Sequence, residues 1–443
     1  MANLTSCILK IIILVLMNLL IFVLYNCNYN ELHVTNRYVM KLKTTGKQLK
    51  PEDHNRIVEE YFSKRKEWKT SMLGSILFQN QTHFTPSSKS YLILIWKHWH
   101  WLKNRHVYYF GEKPHDPFKE CNVNNCQFTG KDELLDTADA VVVHLQRGLL
   151  PNVTQRNPRQ RWIFLNDEAP PHVYSVSESP SIPQLANVFN WSMTYRTDAD
   201  VPVPYGRTVA LTKPKYLDPS YTNIAKLVPN WKIKTRHNLI TVLMSHCSVS
   251  HRMKYLNTLK KYIDVQVHGR CSENQEIVCP GHYTSNCEKI DQYLFYLVLE
   301  NAMCRQYMTE KLFYNAYEKG AIPIIRGPPL QDCQALLPPN SFIHVDNFLT
   351  PSDLAVEIIN ISKDDKKLLS YHLWRNHFKV VNEHGYFGTK SVHLCRLCEA
   401  MNYNDEREKI YDEDDIRLFF DEDILCSTQR NSTKLDSQLV INK

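Results

Sequence analysis

Residues 293–327 hold a cluster of side chains with the composition of a nucleotide site: Asn301, Tyr307, Thr309, Glu310 and Lys311. Lys311 falls in the first turn of an expected helix, where its charge adds to the partial positive charge of the helix N-terminus and suits a diphosphate. Glu310 and Asn301 can exchange hydrogen bonds with ribose or sugar hydroxyls, and Tyr307 offers a flat face to a base or ring. The spacing alone is equally that of an ordinary strand–helix–strand unit with a solvated Glu–Lys pair. Arg252 lies in a loop and helix start after another apolar run, with Lys254 and Lys260 as similar neighbours. A guanidinium there can hold phosphate oxygens bidentately, and His246 and His251 in the same loop are candidates to line the site. Glu168 stands between the apolar stretch 162–165 and the rigid Ala169-Pro170-Pro171. Its carboxylate, or that of neighbouring Asp167, is therefore offered at the carboxyl end of a strand.

The surrounding pattern supplies the elements that position these groups. An apolar run ending at Leu299 reads as a buried strand, and Leu312, Phe313, Ala316 and Tyr317 then recur at helical spacing. Thr309 can cap that helix and Gly320 can end it, before the branched run 321–325. The loop thus lies at a strand's carboxyl end, where open α/β sheets bind ligands. Further strands are expected at 91–96, 140–145, 162–165, 239–244 and 262–267. With 443 residues and 43% hydrophobic content the chain can bury two cores. The expected order is a first domain over 89–204, an irregular proline-containing connection over 205–235 and a second domain over 236–403. The formal charge of +7 is spread along the chain, and the basic patches at 41–50 and 64–69 lie outside both domains, so nucleic acid is not an expected partner.

Residues 11–25 are apolar except for Asn18 and lack a small-residue cleavage site after them, as expected of an uncleaved membrane anchor behind a short cytosolic tail, 1–10. A polar, basic stem over 26–88, with a short amphipathic helix near 56–68, would follow. Sequons at Asn80, Asn152, Asn360 and Asn431 suit a lumenal body, whereas Asn190 stands in an Asn-Trp-Ser that can serve packing. Eleven of thirteen cysteines lie between Cys121 and Cys426, which favours disulfides and leaves an odd thiol. The residues past 403 form an acidic tail with no role assigned.

The 293–327 segment resembles the donor-binding motif of the α1,3-fucosyltransferases, Phe-Glu-Asn-Ser followed by Asp-Tyr-x-Thr-Glu-Lys-Leu, Asn-Ala and Val-Pro-Val-Val-x-Gly. Matches in family order also occur at 121–144, 160–170, 189–206, 341–348 and Cys395-Arg-Leu-Cys398, so the resemblance covers roughly residues 90 to 400. It implies a GT-B fold, two Rossmann-like α/β domains facing a cleft, in a Golgi single-pass type II membrane protein with a lumenal catalytic domain. The implied reaction moves fucose from GDP-fucose, with inversion, onto N-acetylglucosamine of a glycoprotein or glycolipid glycan. Glu168 matches the family's base, Arg252 its phosphate-binding arginine, and Asn301, Tyr307, Glu310 and Lys311 its donor residues. Cys395 and Cys398 pair either with each other or, as the resemblance implies, with Cys121 and Cys126. No cofactor is expected in the site, although a divalent cation can stimulate without direct protein ligands. Asp198-Ala-Asp200 has the look of a metal clamp but lies away from the nucleotide unit, and the family carries a similar stretch without using it so.

The chain departs from the motif at Leu299, Ala302 and Gln306, which puts donor-loop order and affinity in question. His98-Trp99-His100-Trp101 lacks further ligands for zinc and is either an acceptor-stacking surface or packing. Two alternatives accompany the enzyme reading: fucosylation of a protein side chain, and an inactive membrane-tethered glycan-binding relative. The presence of Glu168, Arg252, Glu310 and Lys311 argues against the second.

Overall fold

The computed structural model describes residues 53–427 apart from 83–84, 86, 153–156, 175–179, 274–278, 280–282, 284–285 and 405–408. The expected tail 1–10, anchor 11–25 and first half of the stem lie outside it, as does Asn431. Among the described residues no helix is long and apolar enough to cross a membrane.

Two parallel sheets carry the molecule, as the GT-B expectation requires. The first contains β1 (Tyr91–Trp96), β2 (Cys126–Thr129), β3 (Ala140–His144), β4 (Arg161–Asn166), β5 (Trp191–Thr194) and β6 (Val201–Pro202), in the order β2-β1-β3-β4-β5-β6. A two-stranded ribbon follows, in which β7 (Gly206–Ala210) pairs antiparallel with β13 (Phe378–Asn382). The second sheet contains β8 (Ile240–Leu243), β9 (Val265–His268), β10 (Phe295–Leu299), β11 (Ile322–Arg326) and β12 (Ile343–His344), in the order β12-β11-β10-β8-β9. Every residue of β3, β4 and β10 is buried, because parallel strands covered on both faces need continuous apolar runs rather than alternation. Strand order reverses between β8 and β10, so a crevice opens beyond their carboxyl ends.

The expected boundaries need four corrections, and in three of them the cause is that a flanking segment buries apolar surface on the body. The described residues 53–82 are folded rather than stem. Helix His54–Ser63 sinks Ile57 and Tyr61 into a core shared with Phe313, Leu337 and Phe378, and the Tyr61 hydroxyl donates to the Leu336 carbonyl at 3.0 Å. The 205–235 connection contains β7 and helix Tyr221–Leu227. The chain beyond β13 returns to the first domain, where Leu394, Leu397 and Ala400 of helix His393–Tyr403 pack with Ile93, Val142 and Ile163. The acidic tail packs there too, through Tyr411, Ile416, Phe419 and Phe420 against Trp162 and Phe164.

Disulfides follow these crossings. Cys121 bonds Cys395 and Cys126 bonds Cys398, which resolves the alternative left by sequence. Cys247–Cys271, Cys279–Cys287 and Cys304–Cys426 are also joined, and among the described residues the odd thiol is the buried Cys333. Asn80, Asn152 and Asn360 are exposed. Asn190 is buried and spends its side chain on the Trp162 amide and the Lys409 carbonyl, the packing role its motif suggested.

Truncation tests the first correction. Tyr61→Ala should lower stability by about 3–5 kcal/mol in urea unfolding, and a fragment starting at residue 89 should melt well below one starting at 53.

Candidate functional site

The carboxyl ends of β4, β8 and β10 meet across a cleft enclosing about 240 Å³, lined by Glu168 and Tyr205 from the first half and by Arg252, Asn301, Tyr307, Glu310, Lys311 and Asn315 from the second, among others. All six candidate residues read from sequence therefore face one space.

Glu168 leaves β4 in a loop with little freedom. The Asn166 side chain accepts from the Glu168 amide at 3.1 Å and donates to its carbonyl at 3.0 Å. Asp167 turns the other way, into the protein, where Arg105 donates to it at 2.7 Å and the His384 ring lies 3.1 Å away. Burial alone would raise the Asp167 carboxyl, yet Arg105 and His384 hold it well below the usual carboxylate range. Only Glu168 of the two lines the cleft. Burial, and then repulsion from Asp167, push its carboxyl up to about 7 against the opposing pull of Tyr307 and Lys311.

Tyr307 corrects an expectation. Its ring is buried, edge-on to Tyr195 and Tyr205, so it offers no open face for stacking. Its hydroxyl instead donates to Glu168 Oε2 at 2.9 Å, linking the two halves of the cleft.

Lys311 also differs from the picture of a solitary cation. Glu300, buried at the end of β10, accepts from the Thr309 amide and hydroxyl at 2.9 Å and from Lys311 Nζ at 3.1 Å. Glu310 takes the same ammonium at 3.3 Å. Burial disfavours the charge on Lys311, but the two glutamates raise its pKa above the ordinary lysine value. The helix that starts at Glu310 changes after Leu312 to π geometry over Phe313–Glu318, a feature that concentrates at functional sites. Asn315 from that stretch reaches the cleft wall. Arg252, 4% exposed, donates to the His246 carbonyl at 2.6 Å, and burial lowers its pKa from the ordinary arginine value. Among the described residues Asn301 Oδ1, Asn315 Oδ1 and Arg252 Nε have no partner. Three such buried atoms in one wall mark a place where polar demand is unmet. His246 lines the cleft, and the His251 ring lies 3.4 Å from the Glu300 carbonyl oxygen.

The departures from the motif are absorbed by packing. Leu299 and Ala302 are buried in apolar clusters. Gln306 adopts a left-handed backbone at φ 58°, with its amide on Asp332 and its side-chain oxygen accepting from the Thr197 amide and hydroxyl of the first domain. Glu300, which organises Thr309 and Lys311 in the cleft wall, is not among the residues that the spacing singles out. A glutamate closing an otherwise apolar strand, with Lys311 one turn beyond the loop, was the available signal.

Other suspected ligand groups are committed elsewhere. Asp198 pairs with Arg196, while Asp200 accepts from Ser192 and pairs with Lys409 at 3.1 Å. His98 is buried beside His144 and accepts from Arg147 Nε at 3.2 Å, while His100 is exposed. Asp167, His384 and His393 bring ligand atoms within 4.8 Å of one another. The Arg105 guanidinium already bonded to that Asp167 oxygen places a positive charge where a metal would put its own.

Comparison with known proteins gives concordant matches. Residues 88–206 match "Fucosyltransferase, N-terminal" and residues 233–415 match "Glycosyltransferase family 10 (fucosyltransferase) C-term". The chain is 30% identical to 4-galactosyl-N-acetylglucosaminide 3-alpha-L-fucosyltransferase 9 of Mus musculus, over 65% of this chain and 74% of that protein. It is 32% identical to 4-galactosyl-N-acetylglucosaminide 3-alpha-L-fucosyltransferase FUT6 of Pongo pygmaeus, over 66% and 74%. A crystal structure of an alpha1,3-fucosyltransferase aligns at a TM-score of 0.41 and 15% identity, covering 76% of this chain and 98% of that one.

Removal of Lys311 should be felt first as instability. Lys311→Ala leaves Glu300 buried and unpaired, and is expected to cost about 3–5 kcal/mol in denaturant unfolding. Adding Glu300→Gln should recover most of that loss.

Proposed function

Because the chain belongs to glycosyltransferase family 10, the fucosyltransferases, we propose that it transfers fucose from GDP-fucose to the 3-hydroxyl of N-acetylglucosamine in glycoprotein or glycolipid glycans, inverting the anomeric centre. The observation that carries this reading is the placement of Glu168 on one wall of the cleft, opposite Arg252 and Lys311 on the other. The acceptor hydroxyl gives its proton to the Glu168 carboxylate as its oxygen bonds the fucose anomeric carbon. The bond from that carbon to the diphosphate breaks, and its electron pair leaves with GDP. A carboxyl at about 7 is matched to that proton transfer near neutral pH. Tyr307 fixes the direction of the carboxylate through Oε2, leaving Oε1 for the acceptor.

Charge that grows on the departing diphosphate is met by Arg252, by Lys311 and by the helix N-terminus at Thr309. Glu300 and Glu310 already balance Lys311, so Arg252 carries more of the donor's charge than spacing alone suggests. Glu310, Asn301 and Asn315 are placed to bond the hydroxyls of the donor. With cations built in, the reaction needs no divalent ion held by protein ligands; chelator should leave most of the activity. The apolar stretch 11–25 and the disulfide-bonded body support anchorage in the Golgi membrane with the catalytic domain in the lumen.

Glu168→Gln, which keeps an acceptor for Tyr307, should lower kcat by about a hundredfold or more while leaving the affinity for GDP near that of the parent. Arg252→Ala should instead weaken GDP binding by about tenfold or more. A panel of N-acetyllactosamine, chitobiose-core and protein acceptors assayed with the 53–443 fragment tests the acceptor, and transfer only to a protein side chain would overturn the glycan assignment. Because the base must be ionised, kcat/KM should rise with pH up to about 7 and then level. Stability should move oppositely. A carboxyl whose folded pKa is raised is protonated preferentially in the fold, so the parent loses stability as pH rises from about 4.5 to about 7. Glu168→Gln should escape that loss, and thermal melts at pH 4 and pH 8 would reveal the difference.

A further inference from the structure

We propose that the C-terminal strap, residues 411–427, is a working part of the active site that sets the spacing between the Glu168 loop and the donor loop 300–309. This rests on the functional reading above, but its geometry is independent of it.

One end of the strap is sewn to the donor loop. Cys426 is bonded to Cys304, and the flanking backbone pairs on both sides of that bond. Arg305 N–H donates to the Leu425 carbonyl, and Ser427 N–H donates to the Met303 carbonyl, each at 2.9 Å. Cys304 lies three residues from Asn301 and three from Tyr307, so the bond holds the middle of the loop that supplies both. The other end is built into the first domain. Tyr411 exchanges backbone hydrogen bonds with Asn187 and Phe189 at 2.8 and 2.9 Å. The rings of Tyr411, Phe419 and Phe420 close on Phe164 of β4 with centroid separations of 5.8, 5.4 and 5.1 Å. Phe164 is two residues before Asn166, whose side chain clamps Glu168.

Between these ends helix Glu422–Leu425 lies against the turn Pro170–His172, immediately after Glu168. The strap thus touches the element before the base, the turn after it and the loop facing it. His172 and the Asn301 carbonyl, 3.4 Å apart, meet across the same seam. A segment that only covered apolar surface would have no reason to be bonded covalently to the donor loop. The family match covers Cys304 and Tyr411 and stops at residue 415, short of Cys426. Cys304 and Cys426 do not line the cleft, and they act as positioning residues through the loop.

The test is Cys304→Ser with Cys426→Ser, compared with Cys121→Ser and Cys395→Ser, which removes a bond tied to the first domain away from the cleft. Both pairs should lower the melting temperature. Only the Cys304/Cys426 pair should raise KM for GDP-fucose by at least about fivefold at a temperature where both variants are folded, since a loop displacement of an ångström is costly to donor positioning. It alone should speed amide hydrogen exchange across 301–309. Equal KM values and unchanged exchange at 301–309 would overturn the proposal. If the serine pair does not fold, the alanine pair, without a hydroxyl at the buried Cys304 position, is measured instead. Exchange reports on the strap without turnover, so faster exchange in a chain whose parent does not use GDP-fucose would support the strap and sink the functional reading.

Discussion

Glu300 is a carboxylate delivered into the core at the end of a strand whose other residues are all apolar. An ionised group in that position costs several kcal/mol unless charge and donors are supplied around it. The chain answers within eleven residues, with Thr309 offering two donors and Lys311 an ammonium. Forming those contacts requires the loop 301–309 to double back over the strand end and requires the next helix to start at that point. Tyr307 is thereby carried to the far wall, where its hydroxyl meets Glu168. One buried charge thus shapes the loop 301–309 and, through Tyr307, the orientation of Glu168.

A cleft between two sheets is useful only if its walls keep their distance, and a single covalent connection would not ensure that. This chain crosses between halves repeatedly. The antiparallel pair β7 and β13 forms the junction, and Arg207, Glu383, Arg396 and Glu399 make a buried ladder of ion pairs beside it, with contacts of 2.6–3.1 Å. Helix His54–Ser63 packs onto the same junction, Tyr61 meeting Thr208 of β7 and Phe378 of β13, and the returning helix His393–Tyr403 is bolted to the first domain by two disulfides. Such crossings favour a cleft held nearly closed over two domains free to swing. The arrangement suits a reaction in which a base on one wall must meet a sugar held on the other within hydrogen-bond reach.

Strand positions were legible because buried parallel strands read as unbroken branched runs, and the ends of β1, β4, β8 and β10 fall within a few residues of where the pattern put them. The donor unit was legible because its parts are local: strand, cap, cation and terminating glycine all lie within a short span. In the supposed stem the helix expected near 56–68 is present as His54–Ser63, but its docking was not legible, since Ile57 and Tyr61 do not say which surface they will bury against. The acidic tail misled for the same reason, its charges lying outside while Phe419 and Phe420 face in. The stacking role expected of Tyr307 fails because composition gives an aromatic's two faces but not which neighbours already occupy them.

From sequence alone follow the α/β class, the order of the two halves, the cleft-lining loop after β10 and the chemical types of Glu168, Arg252 and Lys311, because each depends on periodicity or on residues close along the chain. The resemblance favoured Glu168 over Asp167 and a pairing of Cys395 and Cys398 with Cys121 and Cys126, but the side chains' own spacing left both open; tertiary structure decided them, and it decided that Lys311 is shared with Glu300. Those outcomes turn on contacts between segments up to 274 residues apart. A side chain's pKa, direction and partner are set by what surrounds it in space, and spacing along one segment carries no record of the others that will pack against it.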